Sequence, residues 1–252
     1  MSMFEVVELP AARAASGVRI VVVSALPSPW SEGAKALFHL AEVPMRWVHF
    51  KRDDAELAAW TRAHNAPVVF YDDEPPRASW ADQLALAARL GGELVIPRGE
   101  RVRTFGLASE VIGEDGLAWS SRYLMIDASL RSDGARGFPL PVTQYLVPKY
   151  GRAEGGAAGA RARVAGVLEH FARELERSGP FLCGDRASAA DAYLATTMTL
   201  LCADLATEAP STLPPLVAAI AAMREDLALE IPPSLVEHRK RVFAHLPQPI
   251  PL

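Results

Sequence analysis

Residues 19–50 read RIVVVSALPSPWSEGAKALFHLAEVPMRWVHF, and the periodicities in this stretch decide the fold. RIVVVS (19–24) is a continuous β-branched run, the pattern of a strand buried on both faces. ALPSP (25–29) is turn chemistry. Residues 32–42 place Leu37, Leu40 and Ala41 on one helical face, and Pro44 ends them. RWVHF (46–50) alternates polar and apolar, as a second strand does. A strand, a helix and a strand in so short a span make a βαβ unit, with a right-handed crossover.

Working outward, 54–62 predicts a short helix and PVVFY (67–71) a third strand. DDEPP (72–76) is a turn that leaves room for a short fourth strand near Arg77. Ser79 then opens a helix that runs to Leu90 and stops at Gly91-Gly92. The order is βαβ-α-ββα. Beyond Pro97 the strand signals end. Residues 98–130 are helical with an interruption at 113–116, and 132–148, rich in Gly and Pro, read as loop. In 161–177 a stripe of Val164, Val167, Leu168, Phe171 and Leu175 marks an amphipathic helix. Residues 188–204 carry charge only at Asp191 and Asp204, which puts this helix in the middle of a bundle. Two further helices, 216–226 and 234–245, are each entered through a pair of prolines. The expected division is a lead-in at 1–17, an α/β domain at 18–92, an exposed linker near 93–99, and an all-helical domain at 98–246.

The composition narrows the function. The chain has 252 residues, 50% hydrophobic and 22% charged, with a formal net charge of −4. Neither half has a basic excess, which argues against a dedicated nucleic-acid binder. Two cysteines, Cys183 and Cys202, are too few for a disulfide scaffold and fit reduced thiols in a cytoplasmic protein. No apolar run reaches the length of a membrane span, and the first residues lack the basic start and apolar core of a secretory signal. The six histidines form no His-x-x-x-His pair and have no Cys at ligand spacing, so no metal is expected. No Gly-rich loop follows the first strand, so no nucleotide is expected either.

Three local motifs lie on this framework. FLCGDRASAAD (181–191) pairs Ser188 with Asp191 as a capping box: Ser188 is expected to accept from the Asp191 N–H, and the Asp191 carboxylate to accept from the Ser188 N–H. Ala66-Pro67-Val68-Val69 precedes a strand with a proline. Ser79 opens a helix just after Pro76. Together with the domain order, these resemble the cytosolic glutathione transferase superfamily, in its serine-type, bacterial-like form, over about residues 18 to 245. The resemblance implies a thioredoxin-like glutathione-binding domain followed by a helical domain that supplies an electrophile pocket.

It also implies roles. Ala66 would offer its backbone to the cysteinyl part of glutathione beside a cis Pro67, and Ser79 would hold the γ-glutamyl carboxylate. Ala78 departs from the acidic residue or Gln usual before that serine, and Asp82 stands where an apolar residue is usual. Asn65 lies where some classes reach the glycine carboxylate, with His64 or Lys51 as alternatives. Ser28, in Ser28-Pro29-Trp30-Ser31, matches the thiol-activating serine; the same pattern is also an ordinary N-cap followed by an N1 proline, and Ser31 and Ser24 are the other candidate hydroxyls. Trp30, Trp119 and Tyr123, with Met125, would line the electrophile pocket, although such an aromatic stripe also suits plain core. The implied activity is attack of a glutathione thiolate on a small apolar electrophile. It would serve detoxification by a homodimer, with glutathione as co-substrate and no cofactor. A non-catalytic binding or assembly module on the same fold stays open. A thiol-disulfide reductase needs a nucleophilic cysteine near the first helix, and residues 1–182 contain none.

Overall fold

The computed structural model describes residues 3–151 and 155–246. Its elements, in order, are β1 (Phe4–Val6), α1 (Leu9–Ala14), β2 (Val18–Val22), α2 (Pro29–Leu40), β3 (Met45–His49), α3 (Ala55–Thr61), β4 (Val68–Tyr71) and α4 (Trp80–Gly91). Helices follow: α5 (Arg101–Ile112), α6 (Leu117–Arg131), α7 (Leu140–Tyr150), α8 (Gly156–Ser178), α9 (Ala189–Cys202), α10 (Leu205–Glu208), α11 (Pro214–Leu227) and α12 (Pro233–His245).

The β-branched run lies where its hydrophobicity requires. β2 is buried at every residue because it has a strand on either side and helices on both faces. The sheet order is β1-β3-β2-β4, with β2 parallel to β3 and antiparallel to β4. Alternate residues of β2 face opposite cores: Val18, Ile20 and Val22 meet Leu37, Phe38 and Leu84, while Val21 meets Leu57, Val68 and Phe70.

Two differences from the sequence reading concern the sheet edges. The lead-in at 1–17 carries β1 and α1, and β1 pairs in parallel with β3, Phe4 opposite Met45; residues 1–2 lie outside the described ones. The fourth strand expected near Arg77 is a single antiparallel bridge to Val69. Arg77 is followed at once by the start of α4, which leaves no length for a ladder.

Two more concern the second half. Residues 140–150, read as part of a loop, are the helix α7. Its prolines misled the pattern. Pro139 is the N-cap and Pro141 lies in the first turn, where a missing N–H takes nothing from the helix, and Pro148 falls in the last turn. Thr143, Leu146 and Tyr150 form its buried stripe. The linker near 93–99 is not exposed along its length. Residues 92–94 make a turn of 3₁₀ helix, Val95 is 0% exposed, and its C=O accepts the Ala189 N–H at 2.9 Å.

α9 is buried on all sides, as its composition predicted, and packs against α2, α5 and α12. A Cβ on Gly33 of α2 would lie 2.6 Å from the Tyr193 ring, so glycine is what lets α2 approach α9. The capping box at its start has both expected halves, the Asp191 N–H on the Ser188 side chain and the Ser188 N–H on Asp191 Oδ2 at 2.8 Å, and the Ser188 hydroxyl also donates to that Oδ2 at 2.6 Å. Asp191 Oδ1 takes the Leu182 N–H at 2.8 Å and His238 Nε2 at 2.8 Å.

His39, in α2, is 0% exposed, and neither ring nitrogen has a hydrogen-bond partner among the described residues. Burial pushes its pKa down to about 4. The unfolded chain, with an ordinary value near 6.5, binds this proton first. The histidine's contribution is therefore intact above pH 6.5 and lost as pH falls toward 4. At pH 5 the loss is about 2 kcal/mol relative to pH 8. Urea titrations at the two pH values check this: the difference between wild type and His39→Leu should close by that amount on acidification. A constant difference overturns it.

Candidate functional site

Val21 pairs with Val68, so the chain leaving β2 and the chain entering β4 emerge side by side at one end of the sheet. The first of these segments turns back at once. Ala25 has a φ of 59°, the Ser28 N–H donates to Leu26 C=O at 2.7 Å, and Ser31 Oγ accepts the Val23 N–H at 3.0 Å. Ser31 thus braces the turn as an acceptor, and Ser24 is exposed outside it. Ser28 is the N-cap of α2 and 4% exposed, yet its hydroxyl makes no capping bond. Its C=O opens the helix by accepting the Glu32 N–H at 2.8 Å. A hydroxyl that is not spent on its own helix stands at a helix N-terminus, where the backbone dipoles favour negative charge.

The second segment carries Asn65, Ala66 and Pro67. The Ala66–Pro67 bond is cis, and the Ala66 N–H and C=O have no partner among the described residues. Pro67 C=O accepts from Gln83 Nε2 at 3.2 Å, and the same nitrogen donates to Arg77 C=O at 3.0 Å. Gln83 thus ties the start of α4 to the proline turn. It escaped the sequence reading, although a buried amide one turn after Ser79 was the available signal. Ser79 is exposed and its hydroxyl accepts the Ala81 N–H at 3.2 Å, so it caps α4; Ala78 and Asp82 are exposed beside it. Asn65 is half-buried, and Lys51 and His64 are exposed. The Tyr145 hydroxyl of α7 donates to His64 C=O, and the Arg52 guanidinium lies 4.2 Å from the Tyr145 ring. The helix that was read as loop therefore reaches the proline turn.

Trp30, two residues past Ser28, faces the helical half. Its Nε1 donates to Ile112 C=O at 3.1 Å, and its ring meets Tyr150 edge-on at 6.0 Å. Tyr150 also meets Trp119, with centroids 4.4 Å apart. Trp30 and Trp119 are thus brought together through Tyr150, a residue the sequence reading did not single out. Tyr123 and Met125 are buried in the same apolar core and make no ring contact with this group among the described residues. Two cations complete the cluster. The Arg122 guanidinium lies 5.4 Å from the Trp30 ring and 5.2 Å from Phe138. Lys149 Nζ lies 5.9 Å from Trp30 and 5.6 Å from Tyr150. Burial pushes the Arg122 pKa down, with Tyr150 opposing; burial and then the Arg122 charge push Lys149 down. No local signal marks Arg122, because arginine is ordinarily exposed.

No protein-family model matches the chain, and no curated protein matches it in sequence. Solved structures match its shape. A glutathione S-transferase from Pseudomonas fluorescens superposes with a TM-score of 0.59 at 16% identity, over 94% of this chain and 98% of that one. One from Xanthobacter autotrophicus gives 0.56 at 19% identity, over 94% and 96%. A glutathione transferase homologue from Sulfitobacter, solved with bound glutathione, gives 0.50 at 12% identity, over 90% and 99%. The fold is that of the glutathione transferases, a thioredoxin-like domain with a helical domain. Among the described residues no helix is long and apolar enough to cross a membrane.

Proposed function

We propose that this protein is a glutathione transferase that holds the glutathione sulfur as a thiolate beside Ser28 and delivers it to an electrophile seated against Trp30 and Trp119. The observation that carries this reading is the convergence at one sheet end of two unspent groups: the Ser28 hydroxyl, which its own helix does not use, and the unpaired peptide of Ala66. An extended peptide can add to that free backbone as an extra strand does. Its thiol then meets a hydroxyl donor at the N-terminus of α2. Both the hydrogen bond and the helix dipole favour the anion over the thiol. Asn65 would hydrogen-bond one carboxylate and the N-terminus of α4, capped by Ser79, the other. Glutathione bound in a structure of the same fold supports glutathione as the ligand. A homodimer is proposed as the working unit, as the sequence resemblance implies.

Ala78 favours a second reading, a glutathione-transferase fold used as a binding module, because it stands where the resemblance expects an acidic residue or Gln at the γ-glutamyl subsite. Two measurements separate the readings. Titration calorimetry with glutathione, and thioether formation from glutathione and 1-chloro-2,4-dinitrobenzene at neutral pH, should both be positive for a transferase. Binding without turnover over a panel of aryl halides and epoxides leaves the module; absence of both removes glutathione altogether.

A further inference from the structure

Arg122 is 6% exposed, and its Nε is a buried donor without a hydrogen-bond partner among the described residues. None of the described carboxylates pairs with it or with Lys149, although the structure pairs many of its other arginines. A guanidinium keeps its charge inside proteins, and an unpaired buried charge is destabilising unless something compensates it. Here two cations share one aromatic wall: both lie within 6 Å of the Trp30 ring, at 5.4 and 5.9 Å. Ring faces stabilise a cation only modestly, and the two like charges repel. The unfilled Nε edge is the side of the guanidinium that, with a terminal nitrogen, matches a carboxylate in a two-point hydrogen bond. The cluster also sits beyond Trp30, on the helical side of the Ser28 turn.

We propose that the acceptor pocket is built for an anionic electrophile, a flat molecule bearing a carboxylate that docks on Arg122 with Lys149 at its rim. The proposal rests on the transferase reading for the reaction, but not for the anion site itself. Its body lies against the rings of Trp30, Trp119 and Tyr150, and its reactive carbon faces the thiolate held at Ser28. With an aryl chloride the sulfur forms a bond to the ring carbon, chloride leaves with the bonding pair, and the thiol proton goes to solvent. Lys149, exposed at its outer side, supplies charge at the mouth.

The test uses 4-chloro-3,5-dinitrobenzoate and its methyl ester, acceptors that differ by one charge. In the wild type kcat/KM should favour the carboxylate by about ten-fold, and Arg122→Leu should lower the carboxylate-to-ester ratio by about ten-fold or more, the effect of one charged hydrogen bond. Arg122→Lys should recover part of it. Lys149→Met, at the rim, should lower the ratio less and supplies the test if Arg122→Leu does not fold. Calorimetry with 3,5-dinitrobenzoate, which has no leaving group, reads the anion site alone. If neither acceptor turns over but this binding weakens about ten-fold in Arg122→Leu, the anion site stands and the transferase reading falls. Equal rates on acid and ester, with benzoate binding unmoved by Arg122→Leu and Lys149→Met, overturn the proposal. So does a variant that weakens glutathione binding and leaves the acceptor ratio alone, because the guanidinium then serves glutathione's own carboxylates.

Discussion

Ser28→Ala should lower kcat/KM for 1-chloro-2,4-dinitrobenzene at neutral pH by about ten-fold or more, and the cause should be visible in the pH–rate profile. A free thiol titrates near 8.5. One hydrogen bond to the charged form is worth about 1.5–3 kcal/mol, which is roughly one to two pKa units. The variant's profile should therefore shift to higher pH by that amount, and its rate at high pH should approach the wild type's. Glutathione binding should change little, because the backbone of Ala66 and the end of α4 are untouched. Stability should also change little, by less than about 0.5 kcal/mol. The sequence alone allowed a capping role, whose loss typically costs about 1 kcal/mol, but the hydroxyl makes no capping bond. A variant that is less stable while its pH profile stays put would remove Ser28 from the chemistry. Ser31, whose oxygen accepts the Val23 N–H at 3.0 Å and whose O–H is still a donor, would then be the next candidate.

The second large effect is on stability. Asp191 is 0% exposed and its two oxygens take the Ser188 N–H, the Ser188 hydroxyl, the Leu182 N–H and His238 Nε2. Asp191→Ala leaves all four groups buried without an acceptor. Each unsatisfied buried donor costs about 1–3 kcal/mol, and some will recover water or shift. A net loss of about 3–5 kcal/mol, the range for breaking a buried pair, is the expected result from urea denaturation. Asp191→Asn should lose less, because one amide oxygen still accepts. The effect should reach the first domain, since the N–H of Ala189, in the same turn, donates to Val95 at the domain junction. Melting of the two halves in separate steps, or a loss under about 1 kcal/mol, would show that the cluster is incidental.

The βαβ unit was legible because its signals are local. A β-branched run favours burial on both faces, and Ser followed by Pro suits an N-cap and N1 pair. The capping box was legible for the same reason, down to the bond from the Ser188 N–H to Asp191. Its other half was legible too; what was not are the further bonds to the Asp191 carboxylate from the Ser188 hydroxyl, the Leu182 N–H and His238 Nε2, because the last two arrive from elsewhere in the chain. Prolines were the least legible residues. Pro139, Pro141 and Pro148 read as loop one by one, whereas the first turn tolerates Pro139 and Pro141 and α7 carries Pro148 inside it, and Thr143, Leu146 and Tyr150 are a stripe only once there is a core to meet.

By itself the sequence determined the βαβ unit, the strand–helix turn that holds Ser28 and the buried and amphipathic helices of the second half, because each follows from the conformational preferences of a few neighbouring residues. Tertiary structure alone decided which groups remain unspent. Whether the Ser28 hydroxyl caps its helix, whether Ala66 has a strand partner, and whether the Arg122 guanidinium meets water or a ring are questions of distance between residues far apart in the chain. No residue's own preferences encode those distances; they are set when Val21 pairs with Val68 and α6 packs behind Trp30.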